Sequence, residues 1–394
     1  MKKPSSNARS FLERPHKGRG PNARWIGEPR SRQALATPAL ILDLDDFEHN
    51  LKAMARLCRE AGLLLRPHAK THKSIEIARR QIEAGAVGIS VATLREATVM
   101  VEAGLPGVLL TTPAIGPAKI EALCDLVGLS DGFMVVVDSL ANAAELEAAL
   151  KRRRKTMPVL VDIDIGMGRT GIPDVAGAIA LIRRIAGSPV LKYAGLQSYS
   201  GRVQHITRAA ERARVYGRQL KHLRAVLAAA AKAGHPPGIV SGGGTGTFDI
   251  DRREKLFTEC QCGSYALMDV EYQEVELFAR EKHPFRTALY VQCMVVSAHV
   301  PGAPTIDGGF KCFSMDGPMP ELARGAPDGA RYEFYGDEFG KIRLPTKRGT
   351  MKPGSKVEIV TPHCDPTINM HDFYHCVRGS ILQDIWPVDA RGSL

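Results

Sequence analysis

Leu63-Leu64-Leu65-Arg66-Pro67-His68-Ala69-Lys70-Thr71-His72-Lys73 is a short apolar run that ends in a lysine flanked by histidines. The pattern predicts a buried strand whose C-terminal end carries polar chemistry. From about residue 37 onward, similar runs recur at Ala39–Leu44, Gly88–Ala92, Val108–Thr112, Phe133–Val137, Val159–Ile165, Tyr193–Gln197 and Ile239–Gly243. Between them lie Ala/Glu/Arg-rich stretches at helical period, such as Ser74–Ala84, Leu94–Ala103 and Val175–Ala186. Short strands alternating with helices imply a parallel sheet covered by helices. About eight units of this kind fit an α/β fold of the (β/α)8 TIM-barrel type. A doubly wound open sheet is the alternative, but no G-x-G-x-x-G follows the first strand.

The texture changes after about residue 278. Helical periodicity fades, Gly and Pro rise, and β-rich runs appear at Ala288–Ser297, Val357–Val360 and His375–Val377. The expected organisation is a basic, flexible arm over 1–36, a barrel over 37–278 and a C-terminal β-domain over 279–394.

The 394 residues carry a net charge of +11, of which +7 falls within residues 1–35. The remainder is close to balance, so the excess belongs to the Pro/Gly/Arg-rich arm, and a nucleic-acid partner is not expected. An Arg-rich, acid-poor start is also compatible with organelle targeting. No apolar stretch has the length of a membrane span. The eight cysteines are scattered without disulfide-framework spacing, which points to a reducing, cytoplasmic setting.

A lysine at the end of an inward-facing strand is costly unless it does chemistry. Schiff-base formation with an aldehyde cofactor is one such chemistry. The run alone leaves Lys70 and Lys73 both open, as it leaves open a buried ion pair. Ser241-Gly242-Gly243-Gly244-Thr245-Gly246-Thr247 follows a late strand. Consecutive glycines let backbone N–H groups of Gly243, Gly244 and Thr245 converge on an anion, and loops after late barrel strands are the usual phosphate site. Cys262-Gly263-Ser264-Tyr265 supplies a second small-residue turn for the same cradle. In Asp162-Ile163-Asp164-Ile165-Gly166-Met167-Gly168-Arg169, strand alternation puts both aspartates on one face, toward the barrel interior. Arg169 lies in a Gly-flanked turn, within reach of a cofactor ring or a substrate carboxylate. Pro362-His363-Cys364-Asp365-Pro366 ends an apolar run. In an extended segment His363 and Asp365 share a face, with Cys364 pointing away. Imidazole plus carboxylate suits Mn, Mg, Co or Zn, and a plain His–Asp hydrogen bond is the alternative.

Jointly, these segments resemble the D-threonine aldolase / D-serine dehydratase-like family of fold-type III pyridoxal-phosphate enzymes. The resemblance rests on Thr37–Leu44, Arg66–Lys70, Gly168–Gly171, Ser241–Gly246, Gly263–Asp269, His363–Thr367 and Ala390–Gly392. It implies an alanine-racemase-like barrel followed by a β-domain, in a homodimer whose sites take residues from both subunits. It implies pyridoxal 5'-phosphate on Lys70, with Arg169 and Tyr199 lining the cofactor and the Gly-rich loop holding its phosphate. Within the family, a His-x-Cys metal motif marks dehydratases and His-x-Asp marks aldolases; here the motif is His363-Cys364-Asp365. The sequence departs from family aldolases at Phe339, where they often carry histidine, and at Val91–Glu96, where they tend to read Cys-Gln-Lys-Val-Ser-Glu.

The expected activity is a carbon–carbon lyase that cleaves a D-3-hydroxy amino acid, D-threonine-like, to glycine and an aldehyde. Lys70 and His68 are the catalytic candidates, His68 or metal-bound water acting as base. His205, after Tyr199–Gln204, is a less informative histidine that could face the site. The alternatives are a D-serine or D-3-hydroxyaspartate dehydratase, a racemase and a non-catalytic cofactor carrier.

Overall fold

The computed structural model describes residues 19–392. Eight parallel strands run in the spatial order Leu64–Leu65, Glu259–Cys260, Ile239–Gly242, Leu191–Ser198, Met157–Ile163, Met134–Val137, Val108–Leu110 and Ile89–Val91. A parallel bridge between His68 and Ser90 joins the first to the last and closes the ring. Helices such as Ile75–Glu83, Leu94–Glu102 and Ala209–Lys232 follow the strands. Strand side chains facing outward pack under these helices, while those facing inward fill the barrel, so the runs are buried on both faces.

The barrel is tied internally by one ion pair. Arg66 Nε and Nη2 donate to the two carboxylate oxygens of Glu259, at 2.7 and 2.9 Å, and Arg66 Nη1 donates to the Gly107 carbonyl. Both side chains are almost fully buried. A buried charge of this kind is tolerable because each atom of the fork meets an acceptor.

Strand membership differs from the sequence expectation at two places. Ala39–Asp43 is not a barrel strand. It lies in a second sheet, antiparallel to Leu289–Ser297 (Ala39 opposite Gln292) and parallel to Phe373–Arg378 (Leu40 opposite Tyr374). The eighth barrel strand is Glu259–Cys260, which pairs with both Leu64–Leu65 and Ile239–Gly242. The second sheet continues outward to Ile381–Pro387 on one side and through Thr305–Ile306 and Gly340–Arg343 to Arg331–Phe334 on the other. Lys356–Val360 also pairs with Leu289–Ser297 and carries Glu321–Arg324 on its far side.

Residues 1–18 of the expected arm lie outside the described residues. Residues 19–36 are folded onto the second sheet rather than loose. Asn22 exchanges hydrogen bonds with the Ala36 backbone at 3.0 and 2.7 Å and meets His375 Nε2 at 2.9 Å. Arg32 forks onto Glu358 with two 2.7 Å bonds. Among the described residues no helix is long and apolar enough to cross a membrane.

Candidate active site

Lys70 sits in a single 3-10 turn, Ala69–Thr71, immediately after the first barrel strand. His68 precedes the turn. Its Nδ1 accepts from the Lys70 backbone N–H at 3.4 Å, and its Nε2 lies 3.2 Å from Thr111 Oγ1. Burial, then the nearby Lys70 charge, push the His68 imidazole down to about 3. Lys70 Nζ forms an ion pair with Asp365. Burial alone lowers the Lys70 ammonium, but Asp365, helped by Tyr199, holds it above the ordinary lysine value. The same contact draws the buried Asp365 carboxyl below the usual carboxylate range.

Lys73 has a different task. Its Nζ donates to Asn369 Oδ1 at 3.0 Å and to the Gly392 carbonyl at 2.7 Å, and lies 3.4 Å from Glu96. The Lys73 carbonyl accepts from Ala390 N–H, and Arg95 Nε donates to the Arg391 carbonyl. With its ammonium committed to these acceptors, Lys73 clasps the C-terminal segment. Lys70 is the lysine directed at the other functional side chains.

The Gly-rich loop begins where strand Ile239–Gly242 ends, and Gly243 has φ +66°, a left-handed conformation that suits glycine. Thr247 Oγ1 accepts from Gly244 N–H at 3.0 Å, and Gly246 N–H donates to Gln204 Oε1 at 2.9 Å. The second turn is tied to the first because Tyr265 N–H donates to Thr245 Oγ1 at 3.1 Å. It also abuts the lysine turn: a Cβ on Gly263 would lie 2.4 Å from Thr71 Oγ1. Backbone N–H groups of Gly243, Thr245, Gly263 and Ser264 find no protein acceptor among the described residues. Unmatched N–H groups on two adjoining turns fit a phosphate ester. Tyr265 contributes only its backbone here; its ring is buried against Phe285 and its hydroxyl meets Gln81.

Arg169 stacks over Tyr199, with its guanidinium carbon 5.6 Å from the ring centre. The two aspartates upstream do not share a role. Asp162 is buried, accepting from Thr170 Oγ1 at 2.8 Å and Gln197 Nε2 at 3.1 Å, and burial raises it to about 6. Asp164 instead folds back onto the N–H groups of Gly166, Met167 and Gly168, shaping the turn that presents Arg169.

His363 is extended, but Cys364 opens a short helix, Cys364–Ile368, rather than continuing a strand. The pair still converges, with His363 Nε2 3.9 Å from Asp365 Oδ1. The helix start is pinned by Asp269, whose Oδ2 accepts from Cys364 N–H at 2.8 Å. His363 Nδ1 meets Asp316 Oδ2 at 2.9 Å, which leaves Nε2 for a ligand. The His205 ring lies 6.4 Å from the His363 ring, and its Nδ1 is 3.1 Å from Glu271 Oε1. Burial lowers His205 to about 4 and raises Glu271 to about 7. No group of three or more His, Cys, Asp or Glu is arranged as a metal cage among the described residues. One imidazole nitrogen and one carboxylate oxygen facing each other are compatible with a largely hydrated divalent cation. Asp316 and Glu271 were not singled out from the sequence, whereas Asp269 closes the Gly263–Asp269 segment. Glu271 lies on the short helix Val270–Gln273 that Asp269 caps, Asp316 comes from a distant loop, and neither carries a local motif.

The lysine turn, the double-turn cradle and the His363–Asp365 corner meet at the C-terminal end of a parallel barrel, and the chain matches the family described as "Alanine racemase, N-terminal domain" over residues 42–270. The chain belongs to that family. Residues 288–377 match a serine dehydratase domain. The sequence is 35% identical over 366 residues to a D-threonine aldolase of an Arthrobacter species, covering 93% of this chain and 95% of that one. It is 33% identical over 362 residues to a 3-hydroxy-D-aspartate aldolase of Paracoccus denitrificans, covering 91% and 92%. The crystal structure of D-threonine aldolase from Filomicrobium marinum superposes with a TM-score of 0.86 at 38% identity, over 91% of this chain and 96% of that chain. Barrel, β-domain and family thus agree with the reading made from the motifs.

Proposed function

We propose that the protein is a pyridoxal-phosphate- and divalent-metal-dependent lyase that cleaves the Cα–Cβ bond of a D-3-hydroxy amino acid, releasing glycine and an aldehyde. The contact between Lys70 and Asp365 carries this reading, because it brings the cofactor lysine and a cation ligand to one point. When bound, pyridoxal phosphate supplies an electron sink for the carbanion and a divalent cation acidifies the β-hydroxyl.

The residues divide that work. Gly243, Thr245, Gly263 and Ser264 offer N–H groups to the phosphate, and Arg169 on Tyr199 borders the ring. His68 stays neutral and fixes the turn that aims Lys70, a positioning role that its engaged nitrogens favour over that of base. His363 and Asp365 hold the cation, with Asp316 setting the His363 tautomer. His205, beside His363 and backed by Glu271, is placed to accept the hydroxyl proton.

An aldolase is favoured over a dehydratase by the corner itself. Asp365 occupies the second ligand position, while the Cys364 thiol is buried and engaged with the Asp365 carboxylate at 3.5 Å. Carboxylates of Asp269, Glu271 and Asp316 flank His363, so a substrate with an uncharged Cβ substituent, such as D-threonine, suits this wall better than 3-hydroxyaspartate. The test is incubation of the purified protein and Mn²⁺ with D-threonine, D-phenylserine, D-3-hydroxyaspartate and D-serine, followed by product identification. Glycine plus aldehyde is expected. Pyruvate or oxaloacetate with ammonia would establish the dehydratase instead.

A further inference from the structure

Asp251 lies beneath the Gly-rich loop, on the short helix Phe248–Glu254, with no exposed surface. Its Oδ2 accepts from Thr247 Oγ1 at 2.8 Å, and the same hydroxyl oxygen accepts from Gly244 N–H at 3.0 Å. The carboxylate also presses on the first residue of the loop, since a Cβ on Gly243 would fall 2.3 Å from Oδ2. One side chain therefore braces both Gly243 and Gly244.

Its other oxygen, Oδ1, shares the interior with the buried hydroxyl of Tyr216 on helix Ala209–Lys232, which interacts with this carboxyl, and neither atom has any further partner. The titratable groups that face the carboxyl are Tyr216, Glu254 on its own helix, and the thiols of Cys260 and Cys262 from the last barrel strand and the loop after it. None of them is a cation. An ionised carboxylate here is buried without a counter-charge and lies next to a loop built to hold an anion. Both conditions favour the neutral acid.

We propose that Asp251 is the positioning residue of the phosphate loop and carries a proton whenever that loop holds a phosphate dianion, so that binding a phosphate ester takes up a proton. The proton sits on Oδ1, the oxygen not used by Thr247, while Oδ2 continues to brace the loop through Thr247. Burial already raises the group to about 7 without any phosphate, and an adjacent dianion raises it further. This inference rests on the loop being a phosphate cradle, as the proposed function requires.

The probe is pyridoxine 5'-phosphate, which has no aldehyde and so cannot bond to Lys70. It is titrated calorimetrically into full-length protein stripped of cofactor, at pH 8, in two buffers of different ionisation enthalpy. Uptake of close to one proton is expected, with affinity falling about tenfold per pH unit above about pH 7. In Asp251→Asn, which keeps the brace on Thr247 but cannot titrate, uptake should vanish and the affinity should be flat from pH 7 to 9. Tyr216→Phe, which removes the hydroxyl that helps hold the free carboxylate ionised, should leave Asp251 more protonated before the probe arrives and so lower uptake at pH 8. Binding without proton uptake in the wild type, or unchanged uptake in Asp251→Asn, would overturn the role of Asp251 while leaving the cradle intact. No binding at any pH would remove both readings.

Discussion

Lys70 and Asp365 stand 295 positions apart in the chain and form one ion pair at the C-terminal end of the barrel. Each supplies what the other needs to remain charged while partly buried: the ammonium holds the carboxyl ionised, and the carboxylate keeps the ammonium protonated. The contact also makes the two lysines of the Arg66–Lys73 run experimentally separable.

Lys70→Ala should abolish the visible cofactor band and D-threonine cleavage with a smaller loss of thermal stability than Lys73→Met, because the Lys70 side chain is 39% exposed. Lys73→Met should do the reverse. It strips Asn369, Gly392 and the almost fully buried Glu96 of a donor, and the loss of one partner of a buried pair costs about 3 kcal/mol. Thermal unfolding and absorbance spectra of the two variants, measured side by side, check both halves. A Lys70→Ala protein that still turned over D-threonine would defeat the assignment of the cofactor lysine.

His363→Ala and Asp365→Ala should keep the cofactor band but lose roughly a hundredfold or more in kcat/KM, and added Mn²⁺ should not restore it. Asp316→Ala removes only the 2.9 Å contact behind His363, so it should weaken the cation about tenfold and be rescued by excess Mn²⁺. Metal titrations of activity in the three variants distinguish ligand from support. Full activity of chelated wild-type enzyme would exclude the metal role.

Substrate preference should respond to Glu271. Assayed well above pH 7, where Glu271 (raised to about 7) is ionised, Glu271→Gln relieves repulsion on the order of 1 kcal/mol, so the ratio of kcat/KM for D-3-hydroxyaspartate over D-threonine should rise about fivefold. An unchanged ratio would mean that the carboxylates around His363 do not face the Cβ substituent.

Asp162 gives a pH signature in stability. Burial raises its folded pKa from the usual 3.8 to about 6, so the folded state binds this proton more tightly than the unfolded chain. The contribution is present in full below about pH 4 and is lost as pH rises through about 6. Urea unfolding across that window should show wild type losing stability relative to Asp162→Asn, whose amide does not titrate. Parallel curves for the two proteins would contradict the shift.

The sequence showed eight parallel strands but misassigned one of them, and the reason is physical. Ala39–Asp43 is buried at all five positions because it lies inside the second sheet, so its apolar run cannot be told from that of a barrel strand. Glu259–Cys260 was passed over because a two-residue strand opening on a carboxylate looks like a loop until Arg66 is found opposite it. The Gly-rich loop and the His363–Asp365 pair were legible because each is a compact local motif, whereas the run holding Lys70 left Lys73 open beside it and only the family resemblance chose between them. Asp316, Glu271 and Asp251 were not, since their significance lies in what folding brings beside them.

The placement of Ala39–Asp43 bears on how the chain can be synthesised and assembled. Its neighbours in the sheet are Leu289–Ser297 and Phe373–Arg378, so this strand stays unpaired until Leu289–Ser297 has been made and half-paired until Phe373–Arg378 follows. A nascent barrel holding Lys70 would meanwhile lack Asp365 as well. A product terminated before Asp365 is therefore left with an incompletely paired strand and without the Lys70–Asp365 contact.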